Sequence, residues 1–246
     1  MRFIINADDC GYSKGVNEAI ERCFVDGLLT STTVMVNMND LDGAVRLYKD
    51  WGHIKSFGIH LNLSEGSPLL YNQFLLDHGF YVEDKGEIQF NKVLIKNRFL
   101  QKNVRCELYK ELRAQFERIY DVGISPSHID GHHHIHTSPF ILPIVMNLAK
   151  DFQINKIRRV RLTPDMKGHD IFVRKLWKYY AYLFNTSVKT VDYFSCYQDY
   201  VHNSFNLNNN VWELMIHPGD EHPEDEFYIK NNFPFVSEQL ISYHEI

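Results

Sequence analysis

Short apolar and β-branched runs alternate with longer amphipathic stretches along almost the whole chain, and that alternation limits the folds open to it. Phe3-Ile4-Ile5-Asn6 reads as a first strand. Ser13 offers a cap for a helix from about Lys14 to Asp26, with Val16, Ala19, Ile20 and Cys23 on one face and Gly27 as its stop. A second strand is expected at Thr32 to Asn37, a helix at about Leu41 to Asp50, and a third strand at Phe57 to Leu63. The stretch from Ser64 to about Asn103 is less regular and carries turn signals at Gly66-Ser67-Pro68 and Asp84-Lys85-Gly86. A helix from about Val104 to Tyr120, a strand at Ser127 to Asp130 and a helix at about Phe140 to Asp151 follow. Further strands are expected at Ile157 to Leu162, Thr190 to Phe194 and Val211 to Ile216, with an aromatic-rich helical region at Asp170 to Asn185. Strands that alternate with helices favour a parallel sheet with crossover helices. The expected architecture is one α/β domain over residues 1–246, a (β/α) barrel, distorted or incomplete, with a longer insertion after the third strand. An open doubly wound sheet is the alternative.

Composition narrows the function classes. The 246 residues carry a formal charge of -5, and no Lys/Arg run offers a stripe for phosphates, so nucleic acid is not an expected partner. The basic groups between Val104 and Arg118 are interleaved with Glu107, Glu111 and Glu117, as on a solvated helix face. No stretch is long and apolar enough to span a membrane, and the N-terminus enters a strand-like run without a signal-peptide core. Cys10, Cys23, Cys106 and Cys196 lie far apart, as expected of reduced thiols in a cytoplasmic protein.

The polar residues collect where the strands end. Asp8-Asp9 follow the first strand, and His60 lies near the end of the third. His128, Asp130, His132, His133, His134 and His136 follow a later one, Arg161 another, and His217 the last. In a (β/α) barrel these ends converge on one face, so residues remote in sequence meet in one pocket. A His-dense tract alone can be loop decoration, and an Asp pair before a helix can be a cap. Together at three strand ends they favour a metal site. One carboxylate with two imidazoles leaves positions open for water and substrate. Adjacent carboxylates on an extended chain point opposite ways, so one can bind metal while its neighbour addresses a nearby water.

Five segments occur in a telling order: Asn6-Ala7-Asp8-Asp9-Cys10-Gly11-Tyr12-Ser13, Thr30-Ser31-Thr32-Thr33, Gly58-Ile59-His60-Leu61-Asn62-Leu63, His128-Ile129-Asp130-Gly131-His132-His133-His134-Ile135-His136 and His217-Pro218-Gly219. In these segments the chain resembles the YdjC-like carbohydrate deacetylases, over nearly its whole length. The resemblance implies a (β/α)-barrel-like fold, hydrolysis of N-acetyl groups on small sugars of the chitooligosaccharide type, and a divalent metal, usually magnesium. Two imidazoles by themselves suit zinc or another transition metal. The resemblance implies Asp9, His60 and His132 as metal ligands and Asp8 as general base. It places His217 where the wider polysaccharide-deacetylase fold has a general acid, and Arg161 as the arginine that positions the base. Asp130 is a candidate partner for a metal-bound imidazole, and His128, His134 and His136 are candidates for supporting or substrate roles.

The chain departs from the family pattern at Cys10, where Phe is usual, and Tyr243-His244-Glu245-Ile246 comes slightly early for the family's end. The aromatics Tyr71, Phe74, Tyr81 and Trp177 are expected to pack in the core rather than stack on sugars. A small N-acetylated sugar is the expected partner, with a homodimer as a further expectation. The rival readings are another metal hydrolase, such as a phosphoesterase, and a non-catalytic sugar-binding protein.

Overall fold

Parallel strands covered by helices on one side and closed around an interior on the other leave few exposed positions, and the strands here are buried accordingly. The computed structural model describes residues 1–91, 101–165, 172, 175, 179, 187–203, 205, 209–219 and 222–246. Strands β1 (Arg2–Cys10), β2 (Ser31–Val34), β3 (Ser56–Leu61), β6 (Ile129–Gly131), β7 (Tyr193–Cys196) and β8 (Val211–Ile216) form one all-parallel sheet in the order β6-β3-β2-β1-β8-β7. The sheet curls into a half-barrel. Helices α1 (Lys14–Val25), α2 (Leu41–Trp51), α4 (Lys102–Asp121), α5 (Leu142–Asp151), α6 (Tyr197–Asn203) and α7 (Pro223–Asn231) lie between and after the strands. Ser13 caps α1 through its side chain, and Asp40 caps α2. This is the distorted (β/α) barrel expected from the alternation.

One expected strand is reduced. Ile157 to Leu162 makes single bridges, Ile129↔Ile157 and Leu162↔Phe194, rather than a continuous ladder. With Lys156↔Lys189 these bridges carry the pairing from β6 toward the segment that leads into β7. The barrel wall is therefore irregular there, and its backbone is free of strict alternation. The insertion after β3 holds a short helix α3 (Gln73–Asp77) and a hairpin of β4 (Tyr81–Asp84) and β5 (Glu87–Phe90). Trp177, and most of the helical region expected at Asp170 to Asn185, lies outside the described residues.

Alternation along β1 and β8 sorts the two faces. Phe3, Ile5, Ala7, Trp212, Leu214 and Ile216 belong to the large core with α1, α4 and α5. Ile4 and Met215 face the other way and join Val191, Phe194, Ile241 and Tyr243 in a second, smaller cluster. Asn6, Asp8 and Glu213 share the parity of that second face, so its apolar cluster continues into polar groups. Tyr81 is buried, whereas Tyr71 is largely exposed. All four cysteines are unpaired, and Cys10 is buried with its Sγ 3.4 Å from Asn17 Oδ1. No helix among the described residues is long and apolar enough to cross a membrane.

Candidate active site

The polar strand ends meet at one end of the half-barrel. The β1–β2 register shifts between Ala7 and Cys10, and Asp9 takes a left-handed backbone with φ 66°. That bulge breaks the alternation expected of an extended Asp8-Asp9, so both carboxylates line one cleft with Tyr12, Val16, His217, Pro218 and His222. Asp9 Oδ1 lies 3.0 Å from His60 Nε2 and 2.8 Å from His132 Nδ1. One ligand atom from each of these three residues lies within 4.8 Å of the others.

Each imidazole has a second carboxylate behind it. His60 and Asp130 are register partners on β3 and β6, so their side chains leave the sheet on the same face. His60 Nδ1 lies 2.7 Å from Asp130 Oδ1, and Thr33 Oγ1 donates to Asp130 Oδ2 at 3.0 Å. Burial works against charge on His60, but Asp130 and Asp9 outweigh it and push its pKa up to about 10. A proton held between an imidazole and a carboxylate marks a place where a cation is favourable. The donor set, one carboxylate and two imidazoles, fits a divalent metal, which would displace that proton on binding. His132 Nε2 is buried without a hydrogen bond and lies 3.4 Å from Glu65 Oε2. Glu65 in turn accepts from Tyr12 Oη at 3.3 Å.

The Thr30–Thr33 run explains itself as cross-strand wiring. Thr30 Oγ1 accepts from Ile5 N, Thr32 Oγ1 donates to Ala7 O, and Thr33 joins Asp130, His60 and Asn6. The three threonine hydroxyls are tolerated in a buried strand because each has such a partner, whereas the buried Ser31 Oγ between them has none among the described residues.

Asp8 is held by an arginine, and that arginine is Arg158. Its Nη1 and Nη2 donate to Asp8 Oδ2 and Oδ1, each at 2.7 Å, in a bidentate pair. Nη1 also lies 2.7 Å from Asp130 Oδ2, and Nε donates to Glu213 Oε1 at 2.7 Å. Burial pushes the Asp8 carboxyl up, but the Arg158 guanidinium outweighs it and holds it far below the usual carboxylate range. Burial pushes Glu213 up to about 7. Arg161 is not brought to Asp8: it is half-exposed and pairs with Asp199 at 2.5 Å.

The histidines separate into different surroundings. His217 lines the cleft with its side chain 32% exposed, and its Nδ1 lies 3.6 Å from Asp225 Oδ2. Burial lowers its pKa, but Asp225, Asp8 and Asp9 outweigh that and raise it above the ordinary value. His128 is fully buried and stacked on Tyr243, away from the cleft, with its Nδ1 beside Ser127 Oγ. His136 is buried too, with its Nε2 3.1 Å from the Arg158 carbonyl. His133 and His134 both adopt left-handed backbone, at φ 52° and 57°, which costs on the order of 1–2 kcal/mol each. These two residues kink the chain just after His132. His134 packs edge-on against Phe194, and burial pushes its pKa down to about 4.

Sequence reasoning missed Arg158, Glu213, Glu65 and Tyr243. A signal existed for Glu213, the single charge in the run Val211-Trp212-Glu213-Leu214-Met215-Ile216. Such a charge is costly to bury unless it is paired.

Comparison with known proteins identifies the family. A family model described as YdjC-like protein matches residues 2–242. A carbohydrate deacetylase of Geobacillus stearothermophilus is 40% identical over 158 residues, which is 64% of this chain and 59% of that protein. A carbohydrate deacetylase of Clostridium beijerinckii is 32% identical over 220 residues, 89% of this chain and 82% of that protein. The match thus spans about three fifths of the first relative and most of the second. A solved structure from Enterococcus faecalis, named for cellobiose-phosphate cleavage, superposes with a TM-score of 0.76 at 20% identity. It covers 99% of this chain and 98% of its own, and at that identity it speaks for the fold.

Proposed function

Because the chain belongs to the YdjC-like family, we propose that it hydrolyses the N-acetyl group of small N-acetylated sugars and releases acetate. The observation that carries this reading is the division of labour between Asp8 and Asp9. One is bound by a buried arginine and kept ionised; the other faces two imidazoles. The names of the relatives, carbohydrate deacetylases, point the same way.

Asp9, His60 and His132 would hold a divalent cation. Bound there, it would polarise the acetyl carbonyl and acidify an attacking water. The two imidazoles weigh toward zinc or another transition metal over magnesium.

Asp8 is the general base. Its Oδ1 already accepts from Arg158 Nη2 and Asn6 Nδ2, whereas Oδ2 accepts from Arg158 Nη1. Oδ2 therefore keeps a lone pair for the water's proton. A carboxylate held so far below its usual range is a weak base, so it suits a water that is already acidified. His217, whose proton Asp225 and the nearby carboxylates retain to higher pH than an ordinary imidazole's, is the general acid that donates to the leaving amine. A phosphoesterase would want cationic donors facing the substrate. Here Arg158 lies beneath Asp8 with all three of its nitrogens engaged by carboxylates, and Arg161 faces Asp199.

The test is acetate release from N-acetylglucosamine, its phosphate and chitobiose, with protein stripped of metal and reloaded with zinc or magnesium. We expect acetate only after reloading. Asp8→Asn should lower turnover by about 10²–10⁴-fold while metal binding persists. Wild-type turnover in that variant would remove Asp8 as the base.

A further inference from the structure

The floor beneath Asp8 reaches the last residues of the chain. Tyr243 is fully buried, three residues before Ile246. Several contacts bring it there. Ile241 N donates to Phe3 O at 2.9 Å, and Tyr243 N donates to Ser56 Oγ at 3.1 Å. The Lys156 ammonium donates to the Tyr243 carbonyl. Ser242 N donates to Glu245 Oε1 at 2.7 Å, and His244 N donates to Ser242 Oγ, which closes a short 3-10 turn. The Tyr243 ring stacks on His128 with centroids 3.6 Å apart and planes 10° apart. His128 fits because residue 58 is glycine: a Cβ there would lie 2.6 Å from the imidazole.

A phenyl ring would satisfy all of these packing contacts. The hydroxyl does something more specific: Tyr243 Oη donates to Glu213 Oε2 at 2.5 Å, while Glu213 Oε1 takes the Arg158 Nε–H at 2.7 Å. Glu213 is thus clamped at both oxygens. The guanidinium is planar and rigid, so a fixed acceptor at Nε sets the direction of Nη1 and Nη2. Those two nitrogens hold Asp8. Phe194 lies under the same plane, 4.8 Å from the guanidinium carbon.

We propose that Tyr243 and Glu213 are positioning residues that orient Asp8 through Arg158. This rests on Asp8 being the base. The tail then completes the site's floor: it fixes the Glu213 carboxylate, which fixes the guanidinium plane, which aims Asp8 Oδ2. Loss of the hydroxyl leaves one buried carboxylate oxygen without its donor, so Glu213 is free to rotate and Arg158 tilts with it.

The test uses the full chain carrying Tyr243→Phe, with Glu213→Gln as a second variant in case the first folds poorly. For Tyr243→Phe we expect kcat for acetate release to fall about tenfold with KM within about twofold. That is short of the roughly 10²-fold that a 1 Å misplacement costs. A second readout needs no turnover: exchange of the Arg158 Nε–H with solvent, followed by NMR on metal-stripped protein. We expect slow exchange in the parent and at least tenfold faster exchange in Tyr243→Phe. An unchanged kcat in an active parent overturns the proposal, as does unchanged Nε–H exchange. If the parent releases no acetate from any sugar while exchange still accelerates, the Tyr243–Glu213–Arg158 coupling stands and the deacetylase reading fails.

Discussion

The floor and the rim of the candidate site are built differently from the same residue types. In the floor, Tyr243, Glu213, Arg158, Asp8, Asp130, Asn6 and His60 are all buried, and the side-chain contacts among them run from 2.5 to 2.8 Å. At the rim, Glu65 lies 3.3 Å from Tyr12, 3.4 Å from His132 and 3.7 Å from His133, and the His217 ring Nδ1 lies 3.6 Å from Asp225, whose carboxylate also accepts from the His217 backbone N–H at 2.9 Å. The rim groups are partly open to water. Short contacts in a dry floor fix charge in place before any substrate arrives, which is what electrostatic preorganisation requires. Looser contacts at a wet rim leave groups able to adjust to what enters. The same carboxylate–imidazole pair thus serves as a rigid mount for His60 and as an adjustable one for His132.

Arginines 158 and 161 give the largest test of that contrast. Arg158 is shared by three buried carboxylates, so Arg158→Met leaves Asp8 and Glu213 without their guanidinium partner and Asp130 with His60 alone. We expect a loss of about 3–5 kcal/mol in urea unfolding, the range for removing one partner of a buried pair, together with loss of activity. That is a large share of the roughly 5–15 kcal/mol that holds a typical domain together. Arg161→Ala, three positions on, should change stability by less than about 0.5 kcal/mol and leave turnover alone, because its partner Asp199 is exposed as well. Equal losses in the two variants would erase the distinction between floor and surface.

The sequence carried the alternation of strands and helices, and with it the convergence of Asp8, Asp9, His60, the histidine tract and His217 on one end of the barrel. Local pattern was enough because each of these residues sits at a strand end. It was not enough for Arg158. Arginines stand at 158, 159 and 161, and which one points inward depends on the backbone between the bridges at Ile157 and Leu162, where regular alternation fails. His128 looked like a member of the site because it abuts the tract. Its burial against Tyr243 depends on the tail returning to Phe3 and Ser56, a long-range event with no local signal. The opposed directions expected for Asp8 and Asp9 gave way to a bulge at a left-handed Asp9, a conformation Asp tolerates but the alternating pattern does not mark.

His217 tests the rim by its titration. Burial alone would lower its pKa, yet Asp225, Asp8 and Asp9 raise it above the ordinary value of about 6.5. The sign follows directly: the imidazole stays protonated above the pH at which a free histidine loses its proton. As the general acid, it should give an activity profile whose alkaline limb falls only as pH rises through that raised value. His217→Ala should cost about 10²-fold or more in kcat and abolish that limb, with metal binding intact. An alkaline limb at or below about 6.5 would show that the rim carboxylates do not support the charge.

The two imidazole mounts provide the finest comparison. Asp130→Asn removes the charge that holds His60 at 2.7 Å in a fully buried pair, and supporting carboxylates of this kind are worth about 10–100-fold in metal affinity. Glu65→Gln removes a charge 3.4 Å from His132 Nε2 in a partly open setting, where solvent screens the interaction. We expect zinc affinity, measured by competition with a chelating dye, to drop about 10–100-fold in the first variant and no more than about threefold in the second. The ratio matters more than either value. If Glu65→Gln weakened the metal as much as Asp130→Asn, Glu65 would be holding His132 as firmly as the floor holds His60, and the rim would owe its looser distances to something other than freedom to move.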